Sequence, residues 1–552
     1  MFFSSAQSKL LAPARFLTLA IVALTALAST AFAQTPVTVY GFSETGSDVS
    51  TPTPYGVMVQ GRDGNLYSSS TNGGANAAGG VYVMTQAGTE SVIYSFPHSY
   101  AGCQMGLTLG NDGNFYGVCS AHGAFGYGLL YKVTPAGVFT DLHDFSNTGG
   151  DGAQPGAPPI QATDGNLYGT TYYGGANGDG IVYKLTPTGT LTILYSFQNG
   201  TDGVNPNAQL VQGTDGNLYG STVTHGVNFY GVIFKISTKG KLTVLHSFDS
   251  TDGAVPLAAL IQGTDGSFYG TTFQGGTNNQ GVAFKMTASG KYTLLHSFAA
   301  ATDGLEPETA MVQGTDGNLY GTTNPYYDNR DALYKITSKG VFSIVYQFDG
   351  TSSTLGFGLA NGPVQNTNGL LYGATNTGPT SNSVGGTIYT LDIGAKPFAR
   401  LTAQSGIVGT SVSIFGQGFD SSSVVKFNGV PAPGVALEGT TYITVPVPAG
   451  ALTGSVTVTT GSSTLTSNQI FKVTPQVKTF SPPQGPVGTP VVITGVSLTQ
   501  ATKVKFGSIA ASFTVNSDTE ITATVPTGAT TGKIGVTTKG GTATSKTKFT
   551  VQ

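Results

Sequence analysis

The sequence predicts an all-β chain: a seven-bladed β-propeller, whose N-terminal strand closes the last blade, followed by two immunoglobulin-like β-sandwiches. Three observations predict it. A short phrase recurs seven times, a fourth-strand phrase stands alone near the N-terminus, and a unit of about 78 residues occurs twice at the C-terminus. We therefore divide the chain into a leader over 1–33, a propeller over 34–394, and sandwiches over 395–474 and 475–552.

The composition supports a folded chain with few charges. Charged residues make up 9% of the 552 residues, against about 25% in an ordinary soluble protein. Glycine supplies 80 residues, and 26 Tyr with 30 Phe provide material for a core. The formal net charge is -3, so no basic face exists for phosphate backbones. Nucleic-acid binding is therefore not expected.

The first 33 residues have the order of a secretory signal peptide. Lys9 and Arg15 precede an apolar run over 16–27, and small residues then lead to Ala33 and Gln34. This order predicts cleavage between Ala33 and Gln34. A membrane anchor is the alternative, but the run is shorter than the ~20 residues that span a bilayer. We expect a secreted, periplasmic or cell-surface protein without membrane insertion after cleavage.

The propeller prediction depends on a repeated turn, Asp-Gly-Asn-x-Tyr or a close variant. Around Tyr219, four short apolar strands over 208–212, 218–223, 231–236 and 242–248 are separated by this turn and by polar loops. Asp-Gly between strands favours hairpins, and four antiparallel strands repeated radially are typical of a β-propeller. The turn's tyrosines recur every 49 to 52 residues, at Tyr67, Tyr116, Tyr168, Tyr219, Tyr269, Tyr320 and Tyr372.

The number of strands predicts how the ring closes. The third-strand phrase, such as Val182-Tyr183-Lys184, occurs seven times and ends at Ile388-Tyr389-Thr390. The fourth-strand phrase follows a third strand only six times, and a seventh copy stands alone at residues 37–42. We expect residues 37–42 to complete the blade that ends near Leu391. Closure would remove the free sheet edges that promote aggregation.

These repeats carry a family resemblance. The run from Gly213 to Gly220, followed by Gly-Gly and Val-Tyr-Lys phrases, resembles the GloVer-type (Gloeo/Verruco) tandem repeat of exported bacterial proteins. The likeness covers roughly residues 37–393. The seventh unit departs from it and reads Asn368-Gly369-Leu370-Leu371-Tyr372. The resemblance implies export and a surface role, and no settled activity comes with it.

The C-terminal third contains one unit twice. It resembles IPT/TIG domains, immunoglobulin-like modules in which a Gly-x-x-Gly-Thr loop precedes one strand and a Val-Pro turn follows another. We expect the two modules to form a stalk or arm. The matched pairs are Gly406 to Thr410 with Gly485 to Thr489, Val425-Lys426-Phe427 with Val504-Lys505-Phe506, and Val445-Pro446 with Val525-Pro526.

Candidate catalytic and metal-binding residues are sparse. The turn aspartates could form a ring of carboxylates, but seven similar turns favour a structural role, in which each side chain accepts hydrogen bonds from its own turn. His246 and His296 replace Tyr in the fourth-strand phrase, so we expect them to pack rather than to bind a ligand. Calcium, zinc and hydrolase motifs are absent, so neither a metal nor a cofactor is expected. The turn aspartates include Asp164, Asp215, Asp265 and Asp316.

The two cysteines predict a disulfide. Cys103 falls where other units have proline, and Cys119 falls where they have Ser or Thr. Both replacements occur in one blade, near the ends of its first two strands, in a chain predicted to be exported to an oxidising compartment. A redox site is the alternative, but the chain has no Cys-x-x-Cys motif. We predict a bond between Cys103 and Cys119.

The preferred function is an exported, non-enzymatic binding or adhesion protein that acts as a monomer. A polysaccharide or a cell-surface protein is the expected partner. Carbohydrate is favoured because the polar loops carry tyrosines and few charges, as at Phe229, Tyr230, Tyr172 and Tyr173. These rings could instead pack between blades.

Two other functions stay open. The chain could be a propeller glycoside hydrolase or polysaccharide lyase with accessory C-terminal modules, although glutamates are scarce and glycoside hydrolysis needs paired carboxyl groups. It could also be a purely structural envelope protein. An assay that finds binding alone, turnover, or neither would distinguish the three functions.

The sixth blade departs most from the repeat in its variable loops. Paired tyrosines offer a stacking surface, and arginine with carboxylates can hold hydroxyl groups through charge-assisted hydrogen bonds. The alternative is a drifted surface loop in which Arg330 pairs with Asp328 or Asp331. The predicted ligand rim comprises Glu306, Glu308, Tyr326, Tyr327, Asp328, Arg330 and Asp331.

Overall fold

All secondary structure in the described residues is β, as predicted. The computed structural model describes residues 35–42, 49–52, 58–98, 103, 105–300, 302–323, 330–349, 355–378 and 385–552. The leader and its predicted cleavage site at Ala33 and Gln34 lie outside this set. Within it, no helix is long and apolar enough to cross a membrane.

The first half of the repeat region forms three sheets, preceded by the N-terminal strand β1 (Val37–Gly41), which belongs to the seventh sheet. The first sheet contains β2 (Val49–Pro52), β3 (Val59–Gln60), β4 (Leu66–Gly73), β5 (Gly80–Met84) and β6 (Glu90–Ser95). The second contains β7 (Thr108–Leu109), β8 (Phe115–Cys119), β9 (Leu129–Val133) and β10 (Phe139–Asp144). The third contains β12 (Ile160–Gln161), β13 (Leu167–Thr171), β15 (Ile181–Leu185) and β16 (Leu191–Ser196), beside a small pair of β11 (Gly152–Ala153) and β14 (Tyr173–Gly174).

Four more sheets follow with the same order. The fourth contains β17 (Val211–Gln212), β18 (Leu218–Thr222), β19 (Val232–Ile236) and β20 (Leu242–Ser247). The fifth contains β21 (Ile261–Gln262), β22 (Phe268–Thr272), β23 (Val282–Met286) and β24 (Tyr292–Ser297). The sixth contains β25 (Val312–Gln313), β26 (Leu319–Thr323), β27 (Arg330–Ile336) and β28 (Phe342–Asp349). The seventh contains β29 (Phe357–Leu359), β30 (Val364–Gln365), β31 (Leu371–Thr377) and β32 (Thr387–Leu391).

The fourth sheet shows the register shared by the repeats. Tyr219 pairs with Val211 on one side and Lys235 on the other, in antiparallel ladders. The first strand covers Val211–Gln212 and is shorter than the predicted 208–212. The carbonyl of Ala208 instead accepts a hydrogen bond from the hydroxyl of Thr170 in the third sheet at 3.4 Å. The four predicted strands of this unit are otherwise present.

The N-terminal strand joins the last sheet, as predicted. β1 pairs with β32 in antiparallel register, from Val37 opposite Thr390 to Gly41 opposite Thr387. The amide of Phe42 then donates to the carbonyl of Gly386 at 2.9 Å. The edge of β32 is therefore covered by residues that lie about 350 positions earlier in the chain.

Aromatic rings connect each sheet to the next. A phenylalanine at or just after the end of each fourth strand packs on a third-strand ring of the following sheet, with centroids 5.2–5.7 Å apart. The contact of Phe42 with Tyr82 joins the seventh sheet to the first. The other pairs are Phe96–Tyr131, Phe145–Tyr183, Phe197–Phe234, Phe248–Phe284, Phe298–Tyr334 and Phe348–Tyr389.

A repeated glutamine makes a second connection, which the sequence analysis missed. This residue lies three positions before the turn Asp or Asn, and its Oε1 accepts an amide from the turn of a neighbouring sheet. Such side chains satisfy backbone groups that would otherwise lose hydrogen bonds on burial. The contacts are Asn111 to Gln161, Thr163 to Gln212, Thr214 to Gln262, Thr264 to Gln313, Thr315 to Gln365 and Thr367 to Gln60, at 2.6–3.3 Å.

The C-terminal region contains two units with the same topology, each with a four-stranded and a five-stranded sheet. In the first unit these are β33 (Arg400–Leu401), β35 (Ser411–Phe415), β39 (Tyr442–Pro446) and β38 (Ala436–Glu438), and then β34 (Ser405–Gly406), β41 (Ser463–Val473), β40 (Gly454–Thr460), β36 (Val424–Phe427) and β37 (Val430–Pro431). In the second they are β42 (Gln476–Ser481), β44 (Pro490–Val496), β48 (Glu520–Thr524) and β47 (Phe513–Ser517), and then β43 (Gln484–Gly485), β50 (Gly541–Val551), β49 (Gly532–Thr538), β45 (Ala501–Phe506) and β46 (Ile509–Ala511).

The two motifs of each C-terminal unit contact each other. In the first unit, Gly409 donates its amide to the carbonyl of Val447 at 2.9 Å, and Val447 donates back to Thr410. Gly488 and Val525 repeat the first bond at 3.0 Å in the second unit. The two units also have separate hydrophobic cores.

The first C-terminal unit packs on the turns of the first and seventh sheets. Thr441 donates its hydroxyl to the carbonyl of Arg62 at 2.6 Å. Thr367 donates to the carbonyl of Gly416 at 3.1 Å and accepts from Gln417 at 2.9 Å. The expected arm is therefore anchored on the face that carries the Asp-Gly-Asn turns.

Candidate functional site

The turn aspartates have the structural role that the sequence predicts. Asp215 Oδ1 accepts the amide of Asn217 at 3.1 Å, and its Oδ2 accepts the hydroxyl of Tyr219 at 2.8 Å. Burial raises the pKa of Tyr219, and the bond to the carboxylate adds to that shift. In the seventh sheet, Asn368 replaces the aspartate and donates to Tyr372 at 2.8 Å. The repeated phrase therefore couples each turn to its own second strand.

Two of the fourth-strand histidines stack on rings of the next sheet. His246 lies parallel to Tyr292 with centroids 4.2 Å apart, and His296 lies on Phe342 at 4.0 Å. Their Nε2 atoms also lie 2.8 and 2.9 Å from carboxylates of Asp252 and Asp303, in the loop that follows the strand. Packing is therefore their observed role. Within the described ranges, no three His, Cys, Asp or Glu side chains are grouped as metal ligands would be.

The predicted disulfide is present. It joins Cys103, which precedes the first strand of the second sheet, to Cys119 at the end of that sheet's second strand. Both residues are buried.

The predicted blade-six rim is only partly described. Tyr326, Tyr327, Asp328 and the side chain of Arg330 lie outside the described residues. Asp331 is buried and accepts the amides of Gly358 and Leu359, the latter at 3.1 Å. Burial raises the pKa of Asp331 to about 6. Asp331 thus connects the sixth sheet to the seventh.

Glu306 occupies a repeated backbone position. It precedes a proline and has a left-handed φ of 53°, as do Gln154, Asn205 and Val255 at 55–61°. Its amide donates to the carbonyl of Gln280 in the preceding sheet's loop at 3.3 Å. The backbone of Glu306 therefore belongs to the contact between neighbouring loops.

Glu308 lines a narrow cavity where the segments that precede the first strands of several sheets meet. The cavity has a volume of about 50 Å³ and is also lined by Asn207, Thr309 and Asn361. Glu308 is 7% exposed, and among the described residues its Oε2 has no hydrogen-bond partner. Burial raises the pKa of Glu308 to about 7, and the negative charge of Glu306 adds to the shift.

Replacement of Glu308 by glutamine should stabilise the protein at pH 8 and leave it nearly unchanged at pH 5. Because the folded pKa is raised, the folded state binds more protons than the unfolded state between pH 4.5 and 7, so stability falls as pH rises through that window. Removing the charge should recover roughly 1–3 kcal/mol at pH 8. Thermal unfolding of Glu308→Gln at both pH values is the measurement, with Glu520→Gln as the control. A pH-independent difference would contradict the prediction.

Five exposed aromatic side chains lie on the loops that follow the second strands of the second, third and fourth sheets. We call them the aromatic rim. Their exposed fractions range from 41% to 70%, although large apolar side chains are usually buried. They are Phe125, Tyr127, Tyr173, Phe229 and Tyr230. Tyr172, which the sequence analysis also singled out, is half-buried and packs edge-on against Tyr173 at 4.7 Å.

Phe229 occupies a backbone position that other repeats give to smaller residues. Its φ is 69°, in the left-handed region. The equivalent residues of the other loops are Ala77, Gly126, Gly178 and Asn279, with φ of 52–85°. Gly and Asn adopt this conformation readily, whereas a bulky side chain is strained there.

Phe125 occupies a position at which other units have a residue whose side chain makes a structural hydrogen bond. In the first, third and fifth sheets, the equivalent position is asparagine, whose Nδ2 donates to the carbonyl that ends the fourth strand at 2.8–3.1 Å. Phenylalanine cannot make this bond, and the ring of Phe125 is 59% exposed. An alignment of the units by their turn tyrosines would have revealed both departures. The three asparagines are Asn76, Asn177 and Asn278.

Backbone bonds fix the rim loops to one another. Gln154 donates its amide to the carbonyl of Tyr127 at 2.7 Å and accepts the amide of Tyr172 at 2.9 Å. Asn205 makes the same pair of bonds with Asp179 and Val223, at 3.0 and 3.1 Å. The rim is therefore held on a rigid scaffold.

Comparison with known families is consistent with these repeats. The profile of the Gloeobacter/Verrucomicrobia repeat matches residues 27–212 and 103–332, which together cover more than half of the chain. The chain belongs to this family. The IPT/TIG domain matches residues 475–551 of this Gloeobacter/Verrucomicrobia repeat protein. No curated protein matches its sequence.

Several solved structures resemble this repeat protein at low identity. A fungal alcohol oxidase of the AA5 family is 15% identical, with a TM-score of 0.45 over 78% of this chain and 100% of the oxidase. A periplasmic gluconolactonase of Pseudomonas aeruginosa is 17% identical, with a TM-score of 0.39 over 60% and 96%. An ulvan lyase of polysaccharide lyase family PL25 is 13% identical, with a TM-score of 0.42 over 65% and 96%.

Proposed function

We propose that this protein is an exported, non-enzymatic carbohydrate-binding protein of the cell envelope, which acts as a monomer. Its seven repeat sheets are the blades of a seven-bladed β-propeller over 34–394, closed by the N-terminal strand. Immunoglobulin-like sandwiches over 395–474 and 475–552 follow, and the leader 1–33 is removed on export. The disulfide fits an oxidising compartment.

The observation that carries the proposal is the exposed ring of Phe229 at a left-handed position. A ring that is 70% exposed gains little from burial, and the strained backbone costs about 1–2 kcal/mol. Asparagine occupies the same position in the fifth sheet without that cost. Strain at an exposed residue supports a functional reason for its presence.

Carbohydrate suits the rim because both surfaces are amphipathic. Sugar rings expose flat C–H faces beside their hydroxyl groups, and aromatic rings offer flat apolar faces. The tyrosines Tyr127, Tyr173 and Tyr230 add hydroxyl groups that can bond to those of a sugar. With 9% charged residues, the chain offers few competing charges.

The test replaces Phe125 and Phe229 by asparagine, the residue that equivalent loops use. The double variant should lose at least tenfold in affinity for whichever glycan binds the wild type on an array. Its melting temperature should stay equal or rise, because Phe229→Asn relieves strain and Phe125→Asn can restore a loop bond. Binding by calorimetry and unfolding by differential scanning calorimetry give the two readouts.

A second variant tests the blade-six rim, which remains a proposal. Tyr326→Ala, Tyr327→Ala and Arg330→Ala together should abolish binding if that loop contributes the main contacts. Unchanged affinity in both variants would contradict a propeller site and favour the C-terminal sandwiches. A polysaccharide-release assay on the same glycans distinguishes the enzyme alternative, since turnover would overturn the non-enzymatic assignment.

A further inference from the structure

A chamber lies between the repeat sheets and the first C-terminal unit, on the side of the Asp-Gly-Asn turns. Its volume is about 410 Å³, within the range of about 300–1,000 Å³ typical of small-molecule sites. The first strands of the first, second, third and seventh sheets form one wall, and strands β33, β35 and β39 of the first C-terminal unit form the other. The aromatic rim belongs to the opposite set of loops.

Arginine is concentrated in this chamber. The chain has only three arginines after Ala33, and two of them, Arg62 and Arg400, line it. Each guanidinium lies over an aromatic ring, Arg62 over Tyr442 at 4.6 Å and Arg400 over Phe415 at 4.8 Å. These two rings pack edge-to-face with centroids 5.0 Å apart.

Arg62 is already neutralised. Its Nη1 bonds to Glu438 Oε2 at 2.9 Å, and its Nη2 donates to the carbonyl of Asn111 at 2.5 Å. This arginine therefore fixes Tyr442 and the first C-terminal unit on the turns, and Glu438 forms its ion pair with Arg62.

Arg400 has no such partner. Across the described ranges, no carboxylate lies within 4.0 Å of its guanidinium, and no hydrogen bond from its side chain is found. Burial lowers the pKa of Arg400 to about 10, so it still carries its charge at neutral pH. A half-buried guanidinium without a protein hydrogen-bond partner among the described residues favours an anion that can accept two parallel hydrogen bonds, above all a carboxylate.

Other polar groups that line the same chamber suit hydroxyl groups. Gln209 donates its Nε2 to Thr108 at 3.0 Å and to the carbonyl of Pro158 at 3.2 Å, which fixes its orientation. Its Oε1 has no partner among the described residues and can accept a hydroxyl proton. Thr402 contributes a further hydroxyl to the lining.

We propose that this chamber binds a sugar acid, with the carboxylate on Arg400 and the hydroxyl groups on the Gln209 side. The site does not rest on the aromatic rim, and it supplies a second, charge-dependent contact on the opposite face.

The test uses the full mature chain with D-galacturonate, and with D-galactose and sulfate as matched probes. Galactose differs from galacturonate by lacking the carboxylate, and sulfate supplies an anion without the sugar. At 10 mM, galacturonate should raise the melting temperature of the wild type, the shift should shrink in added salt, and the other two probes should produce no shift.

Arg400→Met keeps the stem that packs on Phe415 and removes the charge. It should fold with an equal or higher melting temperature, because a half-buried charge without a carboxylate partner is removed, and it should lose the galacturonate shift. Lys241→Met, at an exposed turn of the fourth sheet, should keep the shift. The Phe125→Asn, Phe229→Asn variant should also keep it, which separates this site from the rim. No shift in the wild type, or an equal shift in Arg400→Met or with galactose, would overturn the proposal.

Discussion

Removal of residues 34–43 should lower the melting temperature by about 10 °C or more and cause aggregation. The deletion removes β1, four residues of which pair with β32, and it removes the buried ring of Phe42. Loss of a buried phenylalanine costs about 3–5 kcal/mol, and each kcal/mol shifts the melting temperature of a large domain by about 2–4 °C. Differential scanning calorimetry measures the shift.

The physical reason for aggregation is the exposed edge of β32. Its amides and carbonyls now bond to residues 37–41, and an unpaired edge is a template for pairing with another chain. Phe42 also packs on Tyr82 of the first sheet at 5.5 Å, so its loss loosens the contact that joins the last sheet to the first. Light scattering during heating should detect the oligomers.

Two single substitutions serve as controls. Phe42→Ala keeps the backbone ladder, so it should lower the melting temperature without the same tendency to aggregate. Val37→Thr changes an exposed side chain at the strand's start and should have little effect. If the deletion variant melts at the wild-type temperature, the seventh sheet is stabilised locally and the N-terminal strand is dispensable.

The repeats made the fold predictable because the sequence of each unit can be compared with the sequences of the other units. The turn tyrosines mark seven units, and the surplus strand at 37–42 has a single vacant place, beside the strand that ends at Leu391. The disulfide followed from the same comparison, since Cys103 and Cys119 replace Pro and Ser or Thr within one unit. Local periodicity predicts the strands of each unit because they pair with sequence neighbours. The distant pairing of β1 with β32 followed instead from the number of strand phrases.

Contacts between units were harder to predict from the sequence. The glutamine at Gln60 bonds to Thr367, 307 positions away, and nothing near either residue indicates that partner. The environment of Glu308 also depends on residues far apart in the sequence, because its cavity is lined by the segments that precede the first strands of several sheets. Sequence spacing placed Glu306 and Glu308 together as acidic loop residues. The structure gives Glu306 a backbone role and buries the carboxyl group of Glu308.

The aromatic rim was predictable from the sequence only in part. Tyrosines in the loops drew attention to Tyr173 and Tyr230, but exposure distinguishes a binding surface from packing, and exposure is a property of the folded chain. The departures at Phe125 and Phe229 can be interpreted only once the side-chain hydrogen bond of Asn177 and the left-handed φ of Asn279 are known. Departure from a repeat predicts function best where the repeated residue has an identified structural task.

Loss of the disulfide is the second large effect that we expect. Cys103→Ser with Cys119→Ser should destabilise the protein by ~3 kcal/mol, the value for a loop of about 15 residues in the chain-entropy model, and the observed separation is 16. That corresponds to a fall of about 6–12 °C in melting temperature. Both cysteines are buried in the second sheet, so serine also places two hydroxyl groups where sulfur packed.

A repeat-like variant separates the cross-link from the packing. Cys103→Pro with Cys119→Thr gives this unit the residues found in its neighbours, where Thr171 donates its hydroxyl to the carbonyl of Tyr173 at 2.7 Å. Proline restricts the unfolded chain, and threonine can regain the hydroxyl bond, so this variant should recover part of the stability that the serine pair loses. Reduction of the wild type with dithiothreitol should reproduce the serine variant's loss. Free thiols in protein purified from an oxidising compartment, or a melting temperature unchanged by reduction, would show that the bond does not stabilise the second sheet.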